Sequence, residues 1–287
     1  MPELPEVHAL AQGLDARLRG RTIDRFDVFA IAALKTVDPP VTALSGATVL
    51  GVSRHGKFLD LSVGDVHLVI HLARGGWMRW RDETPQRSTT RPGKGPLAAR
   101  LVLAGGGAVD ITEAGTTKRL ALSVVRDPLD VPGIARLGPD PLDDAFTEEV
   151  FADILAHSGR SQIKGLLRDQ AVIAGIGNAY SDEILHVAKM SPFAPASMKP
   201  DDVSRLYGAL RDTLRDAVER SDGLDATELK REKRSGLRVH GRTGEACPVC
   251  GDTVRQVIFS DSTLQYCPTC QTHGKPLADR VLSRLLK

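Results

Sequence analysis

Cys247-Pro248-Val249-Cys250 and Cys267-Pro268-Thr269-Cys270 stand sixteen residues apart near one end of a 287-residue chain. Each close pair can offer two thiolates from one turn, and the stretch between them returns the chain as a hairpin, which is the pattern of a four-thiolate structural zinc site. The expectation is one structural Zn2+ per chain, held by Cys247, Cys250, Cys267 and Cys270. Pro248 and Pro268 stiffen the turns, and Val254, Val257, Ile258 and Phe259 supply the connecting strands. His273 lies close enough in sequence to leave open a set of three thiolates and one imidazole. Four protein ligands leave no position for activating water, so the metal would stabilise an element too small to build its own core. Four cysteines within 24 positions also favour a local metal site over a disulfide framework.

Outward from the cysteines, the charge is uneven. Residues 228–242 carry Lys230, Arg231, Lys233, Arg234, Arg238 and Arg242 against Glu228 and Glu232, and the end of the chain adds Lys275, Arg280, Arg284 and Lys287. The formal net charge is only +2, so the distribution, not the sum, suggests a phosphate-bearing partner. The competing reading of such a run is a solvated face. No apolar run approaches the roughly 18 residues of a membrane span, and Asp65 and His67 interrupt residues 63–72. Glu3 and Glu6 occupy the place where a secretory signal is basic. A soluble, cytoplasmic protein is expected.

The remainder reads as a β-rich half followed by a helical half. Leu4, Val7, Leu10, Leu14 and Leu18 recur at helical spacing, and Pro5 suits a first helical turn. Strands are expected at 23–29, 47–53, 58–63, 67–71, 77–80, 99–103, 108–111 and 120–125, with a mobile polar loop at 84–95. Residues 126–144 hold four prolines and two glycines and read as a connection. Helices follow around Val150 and Leu155, at 163–167, at 179–187 and from Val203 to Val218. The fold class is therefore α+β: a β-sandwich domain over 1–125, a linker over 126–144, a helical domain over 145–236, and a cysteine hairpin with a basic tail over 237–287.

The chain opens Met1-Pro2-Glu3-Leu4-Pro5-Glu6-Val7. Removing Met1 would expose the secondary amine of Pro2 beside two carboxylates, an arrangement suited to attack on a sugar aldehyde.

Four segments, in order, resemble one family. They are the opening PELPEV, His55-Gly56-Lys57-Phe58-Leu59, the run GIGNAYSDE at 175–183, and the CPVC…CPTC hairpin. Together they are similar to the formamidopyrimidine-DNA glycosylase and endonuclease VIII family, and they span nearly the whole chain. The resemblance implies a helix-two-turn-helix in the helical domain and a zinc finger at the hairpin. It implies a bifunctional glycosylase and abasic-site lyase acting on damaged DNA as a monomer. Pro2 is then the nucleophile, Glu3 the acid/base, and Lys57 a phosphate contact that assists the lyase step. Glu6, which orders the amine or caps the helix, joins His71, Arg74, Lys164, Asn178, Arg234 and Arg255 as the implied DNA-binding set. Without the family, Glu3 reads as a helix cap, Lys57 as a turn lysine and Asn178 as a cap residue.

Three departures from the family pattern stand out. Arg74 occupies the place of an inserted methionine, and Glu113 and Ala114 replace an arginine and a phenylalanine that fill the gap left by an everted base. Ser262, five residues before Cys267, replaces an arginine at the hairpin tip, leaving Arg255 or the basic stretch around Arg234 to contact phosphate. The connection 220–236 is short and charged, which favours oxidised pyrimidines or abasic sites over 8-oxoguanine. The altered wedge and clamp keep a non-catalytic damaged-DNA binder open as the alternative.

Overall fold

The structure is a computed structural model and describes residues 1–84, 95–259 and 262–277. It divides into two compact units, one of residues 1–137 with 221–230, the other of 138–220 with 231–287. The expected mobile loop at 84–95 falls largely outside the described residues, as do Asp261 at the hairpin tip and the tail cations Arg280, Arg284 and Lys287.

In the first unit α1 (Leu4–Leu18) is followed by β1 (Ile23–Val28), β2 (Val49–His55), β3 (Phe58–Val63), β4 (Val66–His71), β5 (Gly76–Arg81), β6 (Leu97–Leu103), β7 (Ala108–Glu113) and β8 (Ala121–Val125). They form two antiparallel four-stranded sheets, ordered β1-β6-β7-β5 and β2-β3-β4-β8. One core joins the inner faces of both sheets to α1, with Leu18, Ile23, Leu59, Leu68, Ile111 and Leu122 fully or almost fully buried. Truncating any of these to alanine would cost about 2–5 kcal/mol. All eight expected strands are present; β1 alternates in part, while β6 and β8 are almost continuously buried apolar runs bounded by turns. A four-residue helix, α2 (Pro132–Ala135), ends this run of the chain.

The second unit holds α3 (Glu148–Ser158), α4 (Ile163–Arg168), α5 (Asn178–Val187) and α6 (Pro200–Ser221). Then come α7 (Ala226–Gly236), the hairpin β9 (Arg255–Ile258) and β10 (Thr263–Tyr266), and α8 (Pro268–Thr272). Thr147 caps α3 by accepting from Val150 N. The α+β class, with a sandwich, a helical region and a cysteine hairpin, is the architecture expected from the sequence.

One expectation is corrected. Residues 220–236 are not simply a charged connection, since α7 occupies most of them. Asp225 Oδ1 accepts from Thr227 N and Glu228 N while Glu228 Oε2 accepts from Asp225 N, a reciprocal cap that starts the helix. Leu229 is 1% exposed and joins the core of the first unit, with Ala226 packed against it, so two apolar residues anchor an otherwise charged helix. Trp77 Nε1 donates to Ala226 O at 2.7 Å in the same unit.

Candidate active site and metal centre

Glu3 is the N-cap of α1, and its side chain accepts the amide of Glu6 while Glu3 N donates to Glu6 Oε2 at 2.8 Å. This capping box fixes the chain at its start. Pro2 is buried, Glu3 is 2% exposed and Glu6 1%, so the amine position and both carboxylates sit in a site largely sealed from water. Glu6 thus takes the capping role. With Met1 attached, the Pro2 nitrogen is a tertiary amide with no nucleophilic lone pair.

Lys57 lies in the two-residue turn between β2 and β3, where Gly56 adopts φ 53°. The register pairs Phe58 with His71 across β3 and β4, and their ring centroids are 4.6 Å apart. Burial, reinforced by the Lys57 charge, lowers the His71 pKa to about 4. His71 is therefore a neutral imidazole at pH 7 and can meet a phosphate only as a hydrogen-bond donor.

Arg74 is exposed on the β4–β5 turn. The β7–β8 turn lies against it: Ala114 N donates to Gly75 O at 2.9 Å, and a Cβ on Gly75 would come within 2.2 Å of Ala114 O. Glu113 points inward, 3% exposed, and its Oε1 accepts from Arg119 N at 2.6 Å and Leu120 N at 2.8 Å. Lys118 Nζ donates to Glu113 O. Glu113 is a buttress of its own turn, and Lys118 and Arg119, which the sequence reading passed over, are the cations that turn exposes. A carboxylate followed five residues later by Lys-Arg was the signal available.

In the second unit Asn178 is the first residue of α5, and Gly177 is the N-cap. Asn178 therefore does not cap through its side chain; its Nδ2 donates to Thr263 O in the hairpin at 2.7 Å, while its buried Oδ1 has no hydrogen-bond partner. Lys164 departs from the expected surface lysine. It is 5% exposed, and its Nζ donates to Asp182 Oδ1 at 2.6 Å, Ser181 Oγ at 2.7 Å and Asn178 O at 3.2 Å. Its charge is committed inside the fold, so it holds α4 to α5 instead of presenting itself to a phosphate.

Asp182 and Glu183 were quoted in the sequence only as part of a motif, yet they organise the unit. Asp182 Oδ2 pairs with His240 Nδ1 at 2.7 Å and accepts from Gln265 N at 3.2 Å. Glu183 accepts from the amides of Arg238, Val239 and His240. Burial raises the Glu183 pKa, and these three amides oppose the rise. Two acids side by side within Ala179-Tyr180…Ile184-Leu185 could have signalled internal partners.

The four cysteine sulfurs lie within 4.8 Å of one another, with Cys250 to Cys267 at 3.3 Å and Cys247 to Cys270 at 3.9 Å. A tetrahedron of Zn–S bonds near 2.3 Å has edges of about 3.8 Å, so the thiols fit one structural zinc. Exposed His273 is outside the cluster, which settles the ligand set as four thiolates among the described residues. His186, on α5, places Nε2 3.3 Å from Cys247 Sγ, where the Nε2–H tautomer donates to a thiolate, and burial lowers its pKa to about 4. Such donation to a coordinating sulfur orients it and tempers its charge. Arg255, on β9, and Arg234, on α7, are both exposed, and Ser262 leads into β10.

Residues 1–113 match the model of the formamidopyrimidine-DNA glycosylase N-terminal domain, 137–228 its H2TH domain, and 244–272 the zinc finger found in FPG and IleRS. The chain is 36% identical over 286 residues to the formamidopyrimidine-DNA glycosylase of Symbiobacterium thermophilum, covering 94% of this chain and 89% of that one. It is 60% identical over 152 residues to an uncharacterized formamidopyrimidine-DNA glycosylase-like protein of Mycobacterium tuberculosis, covering 53% of this chain and 94% of that one. The Lactococcus lactis Fpg in complex with DNA containing an abasic site superposes with a TM-score of 0.82 at 25% identity, covering 94% and 99% of the two chains. The chain belongs to the formamidopyrimidine-DNA glycosylase family. That family is bifunctional, removing a damaged base and cleaving the abasic site. No helix among the described residues is long and apolar enough to cross a membrane.

Proposed function

We propose that the chain excises damaged bases and cleaves the resulting abasic site through the Pro2 amine, once Met1 has been removed. The observation that carries this reading is the burial of Pro2 beside Glu3 and Glu6 at a rigid helix start. The amine attacks C1′, the base departs with the electrons of the glycosidic bond and the nitrogen loses its proton; the C1′–O4′ bond then breaks, its electrons going to the protonated ring oxygen, as the nitrogen lone pair forms the iminium. That iminium acidifies C2′; loss of a C2′ proton then expels the 3′ phosphate, and water releases the sugar from proline. Glu3 protonates the ring oxygen and later shuttles protons. Lys57 and His71 receive phosphate at one end of the β2-β3-β4 sheet, His71 as a neutral donor.

Asn178, the first residue of α5, meets the DNA backbone through its side-chain amide, whose Nδ2 keeps a second hydrogen to donate beside the one given to Thr263 O. Exposed Arg234 and Arg255 add phosphate contacts, and Arg74 enters the stack where the base has left. The preferred lesions are oxidised pyrimidines and abasic sites. Ala114 and inward-facing Glu113 support this, because neither can fill the space of a purine.

The test is borohydride trapping with abasic-site DNA. Met1-free protein should form a covalent adduct that Pro2→Gly abolishes, with cleavage reduced at least about a hundredfold. Tight DNA binding without adduct or cleavage, with Met1 confirmed absent, would instead establish a binding protein on this scaffold. A panel of oxidised pyrimidines, 8-oxoguanine and uracil in single and double strands ranks the lesions.

A further inference from the structure

The outer face of β5 carries Trp77, Arg79 and Arg81, since successive residues of a strand point to opposite sides. The register sets Arg79 opposite Asp110 on β7, and Asp110 opposite Arg100 on β6. Asp110 is 3% exposed with both oxygens engaged: Arg100 Nε reaches Oδ1 at 2.5 Å, Arg100 Nη2 reaches Oδ2 at 3.1 Å, and Arg81 Nε reaches Oδ2 at 2.9 Å. Burial opposes ionisation of Asp110, but the two guanidiniums outweigh it and lower its pKa. This triad accounts for Asp110, for Arg100 and for one edge of Arg81. It leaves Arg79 unexplained, an exposed cation with no ion pair among the described residues.

Lys230 places its ammonium 4.5 Å from the Trp77 ring centroid, and the Trp77 indole is held by its bond to Ala226 O. Trp77, Arg79, Arg81, Arg100, Asp110 and Lys230 thereby line one cavity of 310 Å³. Four cations face one carboxylate there, a local charge of +3. A solvated basic face spreads its charges outward, whereas these converge on a concavity with a fixed aromatic wall. The volume lies at the lower end of small-ligand sites, and guanidinium forks match the oxygens of phosphate. Lys230 already covers a face of Trp77, which disfavours a cationic ligand and adds to the field that attracts an anion.

We propose that this cavity binds the phosphate of a nucleotide unit, free or within a nucleic-acid strand. None of its lining residues belongs to the Pro2 centre, so the site goes beyond the proposed reaction and stands whether or not Pro2 is the nucleophile.

The experiment uses the full, zinc-loaded chain with 15N-labelled tryptophan, titrated with inorganic phosphate, thymidine 5′-monophosphate and undamaged octathymidylate. The chain has two tryptophans, and Trp80→Phe assigns the indole signals. The Trp77 indole signal should shift saturably, and Arg79→Ser should weaken binding at least about tenfold, with Arg79→Glu weakening it further. Abasic-site cleavage by Arg79→Ser should stay at the wild-type level, and because Arg79 is exposed and makes no ion pair among the described residues its replacement spares the fold. Equal affinity for all three ligands assigns the site to the phosphate alone; tighter binding of octathymidylate assigns it to a strand. The proposal is overturned if none of the three shifts Trp77 saturably, or if both Arg79 variants bind as tightly as the parent.

Discussion

Lys164 Nζ lies 2.6 Å from Asp182 Oδ1, and the two side chains are 7% and 0% exposed. An ammonium with further bonds to Ser181 Oγ and Asn178 O is a structural part of α4 and α5, not a spare surface charge. Removing one partner leaves the other charge buried without full compensation. Lys164→Met should therefore lower stability by about 3–5 kcal/mol in urea unfolding of the zinc-loaded protein. Lys164→Met combined with Asp182→Leu should not add the two separate losses. A loss below about 1 kcal/mol for Lys164→Met would show that the pair is not holding the helices.

The β4–β5 and β7–β8 turns meet backbone to backbone at Gly75 and Ala114, so Gly75→Ala is predicted to push them apart. The added Cβ would meet Ala114 O at 2.2 Å, and backbone cannot swing aside as a side-chain tip can. The expected cost is about 1–3 kcal/mol. If Arg74 is the wedge, affinity for lesion DNA should fall more than affinity for undamaged duplex. Unchanged melting temperature and unchanged lesion affinity would refute the coupling of the two turns.

Stability should fall as the solution is acidified from about pH 6.5 to about pH 4. His71 has its pKa lowered from 6.5 to about 4, by burial first and then by the Lys57 charge. The unfolded chain thus binds a proton in this window that the folded chain does not, and stability rises with pH across it. His71→Asn should flatten that part of the profile, leaving the contribution of His186. A stability curve with the same slope in His71→Asn and parent would remove His71 from this account.

Much of the fold could be read from periodicity. The strands of the sandwich are short apolar-rich runs bounded by turns, and α1 and α6 repeat apolar residues at helical spacing, so local pattern and tertiary burial agree. Helix α7 was harder, since its burial rests on Leu229 and its start on the reciprocal Asp225–Glu228 cap, both easily hidden in a charged run. The cysteine spacing disclosed the metal site, because chelation constrains sequence directly. It did not disclose His186, whose contact with Cys247 joins positions 61 residues apart. Lys164 was misread for a related reason: a lysine on a helix looks solvent-facing until the partner acid, 18 residues away, folds against it. The inward turn of Glu113 likewise depends on amides that follow it around a bend.

Two neighbouring carboxylates on α5 receive the amides of Arg238, Val239, His240 and Gln265. Asn178, at the start of the same helix, donates to Thr263 beside them. Hydrogen exchange should therefore show these groups opening as one unit, the amides around the cysteine hairpin gaining and losing protection together with the first turn of α5. Chelating the zinc therefore reaches beyond the hairpin, because the helix that orients Asn178 loses the other half of its own support.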